Sequence, residues 1–134
     1  MKITRRKFIA STSLLTLAVT ANALPMETQK AKRVLVHHVF FWLKNPGSVE
    51  DQKKLVEGVK SLEKIETIRM IHVGIPASTE KRDVVDNSYG VSELMFFDDE
   101  AGQKTYQDHP IHQKFIKEYS HLWEKVIVYD AING

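Results

Sequence analysis

The apolar residues of this chain follow two rhythms that alternate along its length. Val34 to Leu43 reads VLVHHVFFWL and is apolar at both alternate sets of positions. Successive side chains of a strand point to opposite faces, so this stretch predicts a strand covered on both sides. His37, Val39, Phe41 and Leu43 form one face; His38, Phe40 and Trp42 form the other. Asn45-Pro46-Gly47 ends the strand. From Ser48 the rhythm becomes helical. Leu55, Val59 and Leu62 share one side, with Val56 beside them, while Glu50, Lys53, Lys54, Glu57 and Lys60 cover the other. That spacing predicts an amphipathic helix of about four turns, capped by Ser48 with Asp51 three residues on.

Thr67 to Ile75, TIRMIHVGI, predicts a second strand that Pro76 ends. A charged loop follows over 77–88, and YGVSELMFF, 89–97, predicts a third strand, again apolar on both faces. Asp98 or Asp99 can cap a second helix beginning near Glu100. At His109-Pro110 that helix kinks or restarts, because proline has no N–H and clashes with the preceding turn. It continues to about Tyr119, and KVIVY, 125–129, is the last strand.

The order βαββαβ predicts an α+β, ferredoxin-like fold: a four-stranded antiparallel sheet with both helices on one face. The other face is left bare although the strands are apolar on it. A symmetric homodimer would cover it, with His38, Phe40 and Trp42 at the contact.

The start of the chain has a different character. Lys2, Arg5, Arg6 and Lys7 precede an apolar run from Phe8 to Val19, and Ala21-Asn22-Ala23 gives a small-residue cleavage pattern. Residues 1–23 therefore read as an export signal, with a periplasmic or secreted product after cleavage near Ala23. Thr4 to Ile9 also resembles a twin-arginine signal, and the general secretory route stays open. The apolar run is too short for a permanent membrane span. Residues 24–33 read as a loose tether to a single folded domain over 34–132. The leader carries four basic residues and no acid, so the net charge of +2 becomes 15 basic against 17 acidic residues without it. No basic field remains to attract nucleic acid. The absence of cysteine suits an oxidising compartment.

Candidate chemistry concentrates in YQDHPIH, Tyr106 to His112. Pro110 suits the first position of a helix, with Asp108 or His109 near its cap. Helical spacing aligns His112 with Phe115, Ile116 and Tyr119, which places its imidazole on the apolar face, partly desolvated and biased to the neutral form. Tyr106 lies six residues earlier and can reach the same space. A neutral imidazole and a phenol O–H make a base and a donor to a developing oxyanion. Two plainer readings stand beside this: His112 as a core histidine with a satisfied hydrogen bond, and His109 as a cap or surface residue. His109 and His112 do not make a metal pair, since the proline interrupts the helix and no third ligand has a fixed spacing. No metal or cofactor is expected.

These residues carry a resemblance over about 34–132. The chain resembles the stress-responsive A/B barrel (Dabb) family in four places. They are the strand-one histidine with Lys44 near Pro46, the FFDDEAGQKTY start of helix two, Tyr106-x-x-His109-Pro110-x-His112, and the closing WEKVIVYD, 123–130. The resemblance implies a dimeric α+β barrel. In one branch, the plant olivetolic acid cyclase, a linear polyketide is folded into an aromatic ring, and its catalytic Tyr and His correspond to Tyr106 and His112. Its cavity-lining positions correspond to His37, Trp123, Val126, Val128 and Asp130. Its strand-three cavity histidine is replaced here by Val91, and the next positions on that face are Glu93 and Met95. Glu93 thus points a carboxylate into apolar space, where it needs His37, His112 or a ligand as partner. A structural salt bridge or an outward strand end would also satisfy it. With His109, these residues make up the candidate binding set.

Two function classes follow. One is an exported small-molecule enzyme, a cyclase, isomerase or cofactor-free monooxygenase. In it His112 removes a proton beside a carbonyl, Tyr106 holds the enolate oxygen, and Asp130 or Glu93 orients the imidazole. The other is a non-catalytic, stress-associated binder of a small oxygenated or aromatic ligand. His37 or His72 as haem ligands has no motif behind it.

Overall fold

The computed structural model describes residues 33–134. The expected export signal and its tether fall outside that range, Arg33 excepted. The elements are β1 (Leu35–Leu43), α1 (Val49–Lys60), β2 (Ile68–Gly74), β3 (Val91–Phe97), α2 (Glu100–Asp108), α3 (Pro110–Tyr119) and β4 (Trp123–Ile132). Short 3₁₀ turns at Ser61–Lys64 and Ser120–Leu122 follow α1 and α3. The sheet order is β2-β3-β1-β4 and every pairing is antiparallel. This is the ferredoxin-like α+β fold, with β1 and β3 at its centre.

Register, rather than proximity in sequence, assembles the sheet side of the site. His37 lies opposite Met95 on β3 and Asp130 on β4, Val39 opposite Glu93 and Val128, and Phe41 opposite Val91 and Val126. Paired residues point to the same side of a sheet, so these three rows all face the helices. Leu35, Val39, Phe41 and Leu43 are buried there with Leu55, Val59 and Leu62. Each such side chain contributes about 1.5–3 kcal/mol of burial.

The alternate residues of β1, His38, Phe40 and Trp42, are half-buried on the opposite face. Part of their cover comes from the chain's own loop between β2 and β3. Trp42 Nε1 donates to Ser88 Oγ at 3.0 Å, and Tyr89 packs edge-on against Phe40 at 4.9 Å between ring centres. Lys125 Nζ sits 4.4 Å from the centre of the Trp42 ring. The charged loop therefore folds over one end of the open face, which its polar composition did not suggest.

Ser48 accepts from Asp51 N at 3.1 Å and starts α1. The helix stops at Lys60, and the 3₁₀ turn carries Leu62 into the core instead of a fourth α-helical turn. Gly58 marks where α1 meets α3: a Cβ there would lie 2.7 Å from the Tyr119 ring. Asp99 caps α2 by accepting from Gly102 N at 2.8 Å. The second helix does not kink but breaks, with His109 extended between α2 and α3. The last strand runs over ten residues, longer than 125–129. It is an edge strand paired only with β1, so it tolerates the polar Glu124 and Asp130 that masked its ends. No helix among the described residues is long and apolar enough to cross a membrane.

Candidate functional site

The break at His109-Pro110 shapes the site. In a continuous helix, Ile111 N–H would donate to the Gln107 carbonyl four residues back. Here Ile111 N donates instead to His109 Nδ1, at 3.1 Å, and the Gln107 carbonyl is left without its helical partner. His112 takes that place: its Nδ1 lies 3.0 Å from Gln107 O. A carbonyl only accepts, so Nδ1 carries the proton and Nε2 holds the free lone pair. Burial pushes the imidazole below its ordinary value, with His37 adding to the effect and the Gln107 bond opposing it. His112 is thus a neutral imidazole with one defined basic nitrogen.

Tyr106 is the centre of a ring cluster. Its ring centre lies 4.6 Å from that of His112, 5.6 Å from His37 and 5.4 Å from Phe97. Its hydroxyl donates to Glu93 Oε1 at 3.0 Å. Tyr106, Glu93 and His112 are 2, 1 and 8 % exposed, so all three are held inside the fold. Burial pushes the Glu93 carboxyl up to about 7, against the Tyr106 hydrogen bond that favours its charged form. Burial, then the neighbouring Glu93, pushes the Tyr106 hydroxyl up strongly. On the sheet side, His37 Nδ1 lies 2.5 Å from Asp130 Oδ1. This fixes the His37 tautomer in the same sense, with Nε2 turned away from the carboxylate.

These groups border a cavity of about 390 Å³ between sheet and helices. Its wall includes His37, Glu93, Tyr106, His112, Trp123, Val126 and Val128. Val126, Val128 and Ile116 are partly exposed at its mouth.

The structure corrects four expectations. Val91 and Met95 share the Glu93 face, but the helices close over them and they are core, not wall. His109 caps α3 and its Nε2 is 3.4 Å from Glu66, outside the cavity. Asp130 reaches the cavity only through His37. Neither Asp130 nor Glu93 orients His112; the Gln107 backbone does. Wall residues not singled out in advance are Val39, Phe41, Gln107, Phe115, Ile116 and Ser120. For Val39 and Phe41 the signal was their alternation with His37, and for Phe115 and Ile116 their helical spacing from His112. His72 lies on the open face of β2, where, after burial, it helps push the His38 imidazole down. Among the described residues no group of three His, Cys, Asp or Glu side chains could hold a metal ion.

Known proteins share this fold. Among solved structures, a Dabb family protein with a ferredoxin-like fold from Mesorhizobium loti is 25 % identical, with a TM-score of 0.61, covering 75 % of this chain and 97 % of its own. A dimeric protein of unknown function with a ferredoxin-like fold, from Bacteroides fragilis, is 23 % identical at a TM-score of 0.56, covering 73 % and 94 %. The hydroxynitrile lyase of Passiflora edulis is 19 % identical at a TM-score of 0.64, covering 77 % and 95 %. These last two likenesses concern the fold. No curated protein matches the chain. The profile of the stress-responsive A/B barrel domain matches residues 35–133, nearly all of the described chain, and the protein belongs to the Dabb family.

Proposed function

We propose that the protein is an exported homodimer whose sheet–helix cavity binds a small oxygenated or aromatic molecule and acts on it by proton transfer beside a carbonyl, as a cyclase, isomerase or lyase. The observation that carries the reading is the fixed tautomer of His112, Nδ1 held by Gln107 O and Nε2 left free on a cavity wall. In the reaction the C–H proton passes to His112 Nε2 and the electron pair moves onto the carbonyl oxygen. Tyr106 donates to that enolate oxygen. Its hydroxyl now donates to Glu93, so the donor role requires Glu93 to hold a proton. The carboxylic acid then donates to the phenol oxygen, and the Tyr106 O–H turns to the ligand. Glu93 at about 7 reaches that state near neutral pH.

The test is turnover of enolisable ketones by the wild type and by His112→Phe and Tyr106→Phe. The reading expects each substitution to lower kcat at least about a hundredfold, the usual worth of a general base or oxyanion donor. Unchanged rates on a substrate that the wild type converts would end it.

A second reading, a non-catalytic binder, draws on the same Tyr106–Glu93 bond, which engages the oxyanion donor within the protein. Ligand binding without chemical change would favour it. Dimerisation through His38, Phe40 and Trp42 is supported by the apolar open face and by the dimeric Bacteroides neighbour. Export rests on the leader pattern of residues 1–23, and the mass of the protein recovered from the cell envelope tests it.

A further inference from the structure

Around the buried end of the cavity, three acceptor atoms have no protein partner among the described residues. They are Nε2 of His37, Nε2 of His112 and the carboxyl oxygen of Glu93 that Tyr106 does not engage. Each neighbouring nitrogen or oxygen is already committed: to Asp130, to the Gln107 carbonyl and to the Tyr106 hydroxyl. Among the described residues, no Lys or Arg lines the cavity. Its remaining surface is mainly aromatic and aliphatic, with Phe41, Phe115 and Trp123 along the wall and Val126, Val128 and Ile116 at the mouth; Gln107 and Ser120 are the neutral polar groups on it.

A ligand that satisfies these acceptors must bring a hydrogen-bond donor. A carboxylate ligand would bring more acceptors, and a second negative charge beside a buried carboxyl with no cation to offset either. A protonated amine would ionise Glu93 but place its ammonium, stripped of water, among two imidazoles and an apolar wall. We propose that Glu93 makes this cavity selective for uncharged hydroxyl-bearing aromatic or enolic ligands and turns carboxylates away. The inference rests on the cavity being the ligand site. It does not require His112 to be catalytic, because its readout is binding.

Glu93 is enclosed by five elements as well as its own. Around it stand His37 on β1, Tyr106 on α2, His112 on α3 and, behind His37, Asp130 on β4, while β2 presents Val73 opposite it. A pH change therefore also titrates the two imidazoles, and a variant is needed to separate them from Glu93.

The experiment is calorimetric titration of the full chain with para-butylphenol, para-butylbenzoate and para-butylbenzylamine at about pH 8, where Glu93 is mostly ionised. The expected result is that the phenol binds at least about tenfold more tightly than the benzoate. In Glu93→Gln, which keeps an acceptor for Tyr106 and removes the charge, that preference should fall to within about threefold. In the wild type, lowering the pH to about 5.5 protonates Glu93 while the benzoate stays ionised, so the preference should shrink by more than it does in Glu93→Gln over the same range. If the variant binds neither ligand, the wild type alone still decides: a preference that does not shrink between about pH 8 and about pH 5.5 overturns the proposal. Equal binding of benzoate and phenol at the higher pH overturns the proposal. So does an amine that binds most tightly, a preference that Glu93→Gln leaves intact, or a phenol that does not bind at millimolar concentration. Loss of turnover in His112→Phe bears on the catalytic reading and leaves this selectivity untouched.

Discussion

Pro110 decides what His112 can do. By ending α2 it frees the Gln107 carbonyl, and that carbonyl fixes which imidazole nitrogen is basic. Glu93 makes the complementary contribution, as an acid that burial keeps partly protonated near neutrality. This has a consequence for stability. The folded-state value, about 7, lies above the ordinary 4.5. Between those values the unfolded chain gives up the proton and the folded one retains it. Stability therefore falls as pH rises through this window and levels off above it. The loss is on the order of 3 kcal/mol. His112 works in the other direction: its depressed value costs stability as pH falls below the ordinary 6.5. Glu93→Gln should remove the alkaline loss and leave the acid one. Urea denaturation of both proteins at several pH values checks this, and equal slopes above pH about 5 would contradict it. At this scale the sequence was informative about which residues are unusual. His112 on the apolar face, Tyr106 within reach and Glu93 out of place were all visible from spacing. Their partners were not, because the partner of His112 is a backbone carbonyl and has no sequence signature.

The elements were legible to a similar depth. Strands read from dense β-branched and aromatic runs, and helices from caps and period, came out in the expected order. Ends were harder to place. The polar ends of β4 are tolerated because an edge strand has only one neighbour. The loop before β3 packs onto Trp42 and Phe40 through single contacts that no periodicity encodes. Helix packing supplies a test of its own. Gly58 lets α1 lie against the Tyr119 ring of α3, and a methyl group there meets that ring at 2.7 Å. Gly58→Ala gains about 1 kcal/mol of helix propensity but overpacks a tight contact, which costs about 1–3 kcal/mol. The net expectation is a destabilisation of up to about 2 kcal/mol, read from the denaturation midpoint. A variant more stable than the wild type would mean that Tyr119 moves aside freely.

For the whole molecule, the two faces of the sheet divide the labour. The helix-covered face holds the cavity, and the other carries half-buried Phe40 and Trp42, where the proposed dimer contact would lie. Trp42→Glu places a charge in that face and should convert a dimer to monomer, as seen by light scattering after size exclusion. An unchanged dimer would move the interface elsewhere. Sequence pattern foretold two unlike faces, since both alternate sets of β1 are apolar. It did not foretell that the loop from β2 covers part of the open one.

The central claim is that the cavity beside His112 is a ligand site with a defined base. The most direct measurement is an NMR pH titration of the imidazoles, with ¹⁵N shifts reporting the tautomer and His112→Phe assigning the signal. The account predicts that His112 is protonated on Nδ1 when neutral and titrates clearly below the ordinary 6.5. It also predicts that its signal moves on addition of a phenol. A His112 that titrates at its ordinary value, with mixed tautomers and no response to any ligand, would show a core histidine beside an empty space and contradict the account.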